Sequence, residues 1–68
     1  MNQDHFNMEI RKYLKKVGIT SQREITDLVT KAISEGKLTG NETLKAHANI
    51  TLQHLGCTIE IDGEISLD

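Results

Sequence analysis

Residues 43–67 alternate apolar and polar side chains, and this alternation constrains the fold more than any other feature of the chain. Leu44, Ala46, Ala48, Ile50 and Leu52 alternate with Thr43, Lys45, His47, Asn49 and Thr51. Cys57, Ile59, Ile61, Ile65 and Leu67 alternate in the same way with Thr58, Glu60, Asp62, Glu64 and Ser66. A period of two belongs to a half-buried strand, whose successive side chains point to opposite faces. Folding the second run back over residues 53–56 sets Leu52 against Cys57, Ile50 against Ile59 and Ala48 against Ile61. On the other face the same register sets Lys45 beside Glu64, His47 beside Asp62 and Thr51 beside Thr58. Opposite charges across a strand pair each favour their register by about 0.2–1 kcal/mol. Both faces therefore agree on one antiparallel hairpin.

A rival is Asp62-Gly63 as a two-residue turn, normally a strong hairpin signal. That turn would face Ile61 with Glu64 and Glu60 with Ile65, placing apolar against charged on both faces unless a bulge repairs the mismatch. In the preferred register Gly63 lies opposite Ala46 and leaves a thin spot in the sheet.

Before residue 37 the period is helical. Phe6, Ile10, Tyr13, Leu14 and Val17 fall on one stripe of a helix over residues 4–17, with Asp4 as its cap and Gly18 just past its end. Ser21-Gln-Arg-Glu24 matches a capping box, which starts a second helix carrying Ile25, Leu28, Val29, Ala32 and Ile33 and ending at Gly36. On this reading Ser21→Ala removes a cap and lowers the melting temperature. Residues 37–41 read as a turn with Gly40-Asn41 at its end. The expected fold is α+β: two N-terminal helices packed on one face of a C-terminal antiparallel β-hairpin, in the order α-α-β-β, as a single domain over residues 1–68.

The run "NQDHFNMEIRKYLKKVGITSQREI", followed by "GNETL" and "IDGEISL", resembles a small bacterial family of uncharacterised proteins, a domain of unknown function. The resemblance covers nearly the whole chain and implies a stand-alone bacterial domain of this size. It carries no activity, cofactor or catalytic residue.

At 68 residues a folded chain buries only about 60% of the surface its unfolded form exposes, so its stability is marginal without help. The single cysteine, Cys57, cannot close an internal disulfide. Self-association is then the expected help, and a two-fold dimer that closes one open strand edge supplies it. The start carries no basic segment followed by an apolar run, and no stretch approaches the roughly 18 apolar residues of a membrane span. A soluble cytoplasmic setting without membrane contact is expected.

Net charge is −2, which disfavours a general nucleic-acid binder. It is unevenly spread: residues 1–37 hold 7 Lys+Arg against 5 Asp+Glu, a balance of +2, and residues 38–68 hold 1 against 5, a balance of −4. Arg11, Lys12, Lys15 and Lys16, with Met8 projecting from the same side, form a candidate surface for an acidic protein partner, an RNA backbone or a phosphate-bearing ligand. His47 and Asp62, side by side on the polar face of the hairpin, are the second candidate partner-binding pair. A solvated helix face and an ordinary cross-strand pair are the plain readings of the same residues.

Other chemistries fare worse. Cys57 at an inward strand position reads as a small core residue rather than a nucleophile activated by His54. His5, His47, His54 and Cys57 lack the spacing of a zinc site, so no metal or other cofactor is expected. Glu60, Asp62 and Glu64 lie on an open face with no cleft, and no enzyme is expected. The alternative function is a nucleic-acid-binding regulator using a helix-turn-helix-like pair over residues 4–35. It is weakened by bulky Leu14, and by Glu24 and Asp27 where that motif needs apolar residues. The favoured function is a small soluble interaction module, acting as a homodimer, without a catalytic constellation.

Overall fold

A computed structural model describes all residues, 1–68. The chain is α+β: one helix, α1 (Gln3–Ser34), is followed by two antiparallel strands, β1 (Thr43–Leu52) and β2 (Cys57–Ser66). It divides into two compact units, Met1–Lys37 and Leu38–Asp68. The boundary coincides with the change of charge balance from +2 to −4 read above. Neither unit contains a buried side chain.

The expected pair of helices is a single helix, α1. Gly18 has no positive φ, and Ser21 lies in the helix interior, so the anticipated turn and capping box do not form. The energetics explain why. Ending a helix leaves four carbonyls without partners and starting another leaves four N–H groups. Each lost bond is worth about 1 kcal/mol net, and a cap at Ser21 restores about 1. Keeping Gly18 inside the helix costs only about 1 kcal/mol relative to alanine.

The apolar pattern agrees with continuity. Ile10, Leu14 and Val17 recur eleven residues later as Ser21, Ile25 and Leu28, and Ala32 continues the series. Eleven residues are very nearly three helical turns. Phe6, Ile10, Leu14, Val17, Ile25, Leu28 and Ala32 therefore share one arc of about 100° along the whole helix. Ser21 is the polar interruption at its middle, and Glu24 sits on its border. Seven residues of the two stripes read from the sequence thus form one; Tyr13, Val29 and Ile33 fall outside the arc.

The ends of α1 are well made. The cap is Asn2, one residue before the helix and not Asp4; its side chain accepts the backbone N–H of His5 at 3.1 Å. Asp4 lies instead in the first turn, where a carboxylate suits the positive end of the dipole. At the far end Gly36 adopts φ 77°, its N–H donates to Ile33 O at 3.1 Å, and Lys37 N–H donates to Ala32 O at 2.8 Å. These two bonds are the Schellman pattern, with glycine at the left-handed position.

The hairpin has the register expected from the alternation. Leu52 faces Cys57, Ile50 faces Ile59, Ala48 faces Ile61, His47 faces Asp62 and Lys45 faces Glu64. Gly63 pairs with Ala46 within β2, which excludes the Asp62-Gly63 turn. The connection is a single 3-10 turn, Gln53–Leu55, closed by Gly56 in the left-handed region at φ 61°. Cys57 stands opposite Leu52 but is exposed, contrary to the inward core position expected for it, because nothing covers that face within the hairpin unit.

Candidate functional site

The register builds the polar face of the hairpin. His47 and Asp62 are brought together, the imidazole Nδ1 meeting Asp62 Oδ1, while Nε2 lies 4.0 Å from Glu60 Oε1. The imidazole thus stands between two carboxylates of β2. Thr51 and Thr58 contact each other through their hydroxyls at 3.1 Å. Lys45 and Glu64 are opposite in register but form no ion pair within 4.0 Å.

Between the Lys45–Glu64 and His47–Asp62 rungs lies an open groove of about 550 Å³, completed by Ala46 and Gly63. No cleft was expected on this face; the groove lies between the longer side chains of Lys45 and Glu64 on one rung and of His47 and Asp62 two residues along, above the backbone of Ala46 and Gly63, whose rung faces the other side. The Cys57 thiol donates to the Leu55 carbonyl at 3.4 Å rather than to His54. No group of three or more His, Cys, Asp or Glu side chains is placed to hold a metal ion.

The other candidate residues lie in the helix unit. At 100° per residue, Met8, Lys12, Lys15 and Lys16 share the face opposite the apolar stripe, and Arg11 lies towards the stripe's border. None of the four cations makes an ion pair within 4.0 Å. Continuity of the helix adds residues that sequence reasoning had assigned elsewhere. Ile19, expected in a turn, follows Met8, Lys12 and Lys15 on the same face and is 51% exposed, and Arg23 extends the basic surface by one turn. Ile19 and Arg23 line a shallow recess of about 300 Å³ with Gln22, Thr26 and Asp27. The eleven-residue recurrence was the signal that could have placed them.

The pair of helices required by the helix-turn-helix alternative is absent, because residues 18–21 are helix interior. The second helix of that alternative therefore does not exist as a separate recognition helix. Although 32 residues long, α1 is not apolar enough to cross a membrane.

Glu42 was missed altogether. Its carboxylate accepts the Thr39 N–H at 2.9 and 3.2 Å and the Gly40 N–H at 2.9 Å. The Thr39 backbone N–H, and next that of Gly40, holds its carboxyl below the usual carboxylate range. Thr39-Gly-Asn-Glu42 has the S/T-x-x-E spacing of a capping box, and here the glutamate does reach back to the threonine N–H, in a turn rather than at a helix start.

The chain belongs to a family of unknown function, DUF6494, whose model matches residues 1–68. No match to it was found among curated proteins or among solved structures.

Proposed function

We propose that this chain is a small association module whose working form is a homodimer, and that its basic helix face serves an acidic protein partner. The observation that carries the reading is the apolar stripe of residues 6–32, which runs the length of α1 without one buried side chain. A single helix in water is marginal even when its propensities are good. A two-stranded hairpin on its own is no better. Fully burying a Leu, Ile or Phe side chain contributes about 1.5–3 kcal/mol, so covering several of them is the largest stabilisation open to such a chain. A second copy brings an identical stripe, and a two-fold axis makes one surface its own complement.

Arg11, Lys12, Lys15 and Lys16 lie away from the middle of the stripe and have no internal counter-ion. With Met8 and Ile19 between them, they offer a charged surface with two apolar anchors to an acidic segment.

Sedimentation equilibrium tests the dimer. A molar mass near twice 7.6 kDa, persisting to low micromolar protein, is expected. A monomer at every concentration would overturn the reading.

A further inference from the structure

We infer that β1 is the edge through which two copies join: β1 pairs with β1 of the second copy, antiparallel across a two-fold axis at Ala48, giving a four-stranded sheet in the order β2-β1-β1-β2. The inference rests on the homodimer reading and adds which surface makes the joint.

The hydrogen-bond phase fixes which backbone groups are free. Leu67 N–H donates to Glu42 O at 2.9 Å, so Glu42 and Leu67 form a hydrogen-bonded pair at the open end of the ladder. Such pairs alternate along an antiparallel ladder. Leu44, Ala46, Ala48, Ile50 and Leu52 are then bonded inward to β2, while Lys45, His47, Asn49 and Thr51 turn their N–H and C=O groups to the free edge of β1. On β2 the groups turned outward belong to Thr58, Glu60, Asp62 and Glu64.

Charge decides between the two edges. A two-fold β2–β2 joint centred on Ile61, Asp62 or Gly63 sets two or three carboxylate pairs directly opposite one another, and like charges so placed are destabilising. The β1 edge carries a single charged side chain, Lys45. Centred on Ala48, a β1–β1 joint sets Leu44 opposite Leu52, Ala46 opposite Ile50 and Ala48 opposite itself on the apolar face. On the polar face it sets Lys45 opposite Thr51 and His47 opposite Asn49, with no like charges opposed. Outward-facing backbone groups meet outward-facing groups in this register, so its ladder is consistent with the phase of the hairpin. A joint between β1 and β2 of different copies pairs unlike edges and builds rings or open filaments of several copies rather than a two-fold dimer. The carboxylates of β2 thus act as a guard on the outer edge, as edge charges do in natural sheets.

Two cysteine variants, both in a Cys57→Ser background, test the joint in the full-length chain. Ala48→Cys places two thiols across the axis in a non-hydrogen-bonded pair, where Cα atoms are about 4.5 Å apart, within the range a disulfide spans. Mild oxidation is expected to double the mass of Ala48→Cys under non-reducing conditions and to leave Ile61→Cys, its partner on β2, single. As an independent measurement, Asn49→Pro removes an outward N–H of β1 and is expected to raise the dimer dissociation constant at least tenfold. Glu60→Pro, the matching change on β2, leaves it unchanged. A dimeric parent whose Ala48→Cys form does not cross-link and whose Asn49→Pro form still dimerises would overturn the β1 joint and leave the homodimer reading standing. Cross-linking of Ile61→Cys instead, or growth to masses above a dimer, would also overturn it. A monomeric parent removes the homodimer reading and the joint together.

Discussion

Glu42 and Thr39 are tied by two contacts, the Thr39 N–H donating to both carboxylate oxygens at 2.9 and 3.2 Å, and this clasp organises the turn before β1. The charged carboxylate is the form these N–H groups favour, which is why its pKa lies below the usual value. The contribution is therefore present above the unfolded glutamate pKa of about 4.3. It is lost as pH falls through the lowered folded value. Glu42→Gln is expected to melt at a lower temperature near neutral pH and to lose less stability than the parent on acidification. Thermal melts between neutral and acidic pH check this, and parallel acid-side losses in both proteins would contradict the assignment.

Gly18 and Ser21 give the sharpest test of the single helix. No atom lies within 4 Å of a Cβ added at Gly18. Gly18→Ala is expected to stabilise the chain by about 1 kcal/mol, and Ser21→Ala by a few tenths. Two capped helices would reverse both signs, since alanine would then replace a left-handed glycine and a serine cap. Denaturant or thermal unfolding followed by helical circular dichroism reads the sign directly.

Gly36 is the opposite case. A Cβ there meets no atom within 4 Å, so the cost of adding one lies in the backbone alone, at φ 77°. Gly36→Ala is expected to destabilise by about 1 kcal/mol, with Gly36→Asn costing less because asparagine tolerates the left-handed region. Equal stability for the parent and the alanine variant would argue against the Schellman end.

These glycines show what was legible in the sequence. The hairpin could be read because two faces constrain one register: Ile50 with Ile59 and His47 with Asp62 point to the same alignment, and a slip of one residue would spoil both. The polar candidates of the hairpin followed from that register. Along the helix, capping residues gave a local signal that was outweighed by a longer-range one. Gly18 and Ser21 resemble an end and a start, yet the bonds lost at a break exceed what they return, and the recurrence of Leu14 in Ile25 and of Val17 in Leu28 carries the same face through. Treating the break as real hid Ile19 and Arg23 on the basic surface. Asn2 displaced Asp4 as the cap, a shift of two residues that apolar periodicity does not resolve. Glu42 escaped because its spacing to Thr39 is a helix-start motif used in a turn.

His47 and Asp62 form a cross-strand pair on an exposed face, with Asp62 84% exposed. Such pairs are worth about 0.5 kcal/mol and weaken with salt. A double-mutant cycle of His47→Ala and Asp62→Ala is expected to return a coupling of about that size, falling on addition of salt. A coupling several times larger would point to a role beyond pairing the strands.

Leu28 lies near the mid-line of the apolar stripe, towards its C-terminal end, and is 68% exposed, the most open of its members. On a helix with no partner, exchanging it for a polar residue changes stability by no more than about 0.5 kcal/mol. In a dimer that covers the stripe, a buried carboxylate at the same position would be costly. Leu28→Glu is expected to raise the dimer dissociation constant at least tenfold and to lower the melting temperature at a given protein concentration. Thr30→Glu, two residues away but on the opposite face, adds the same charge to the same turn and is expected to leave association unchanged. Equal effects of the two substitutions on sedimentation would mean that charge alone governs association, and that the stripe is not the surface the second copy covers.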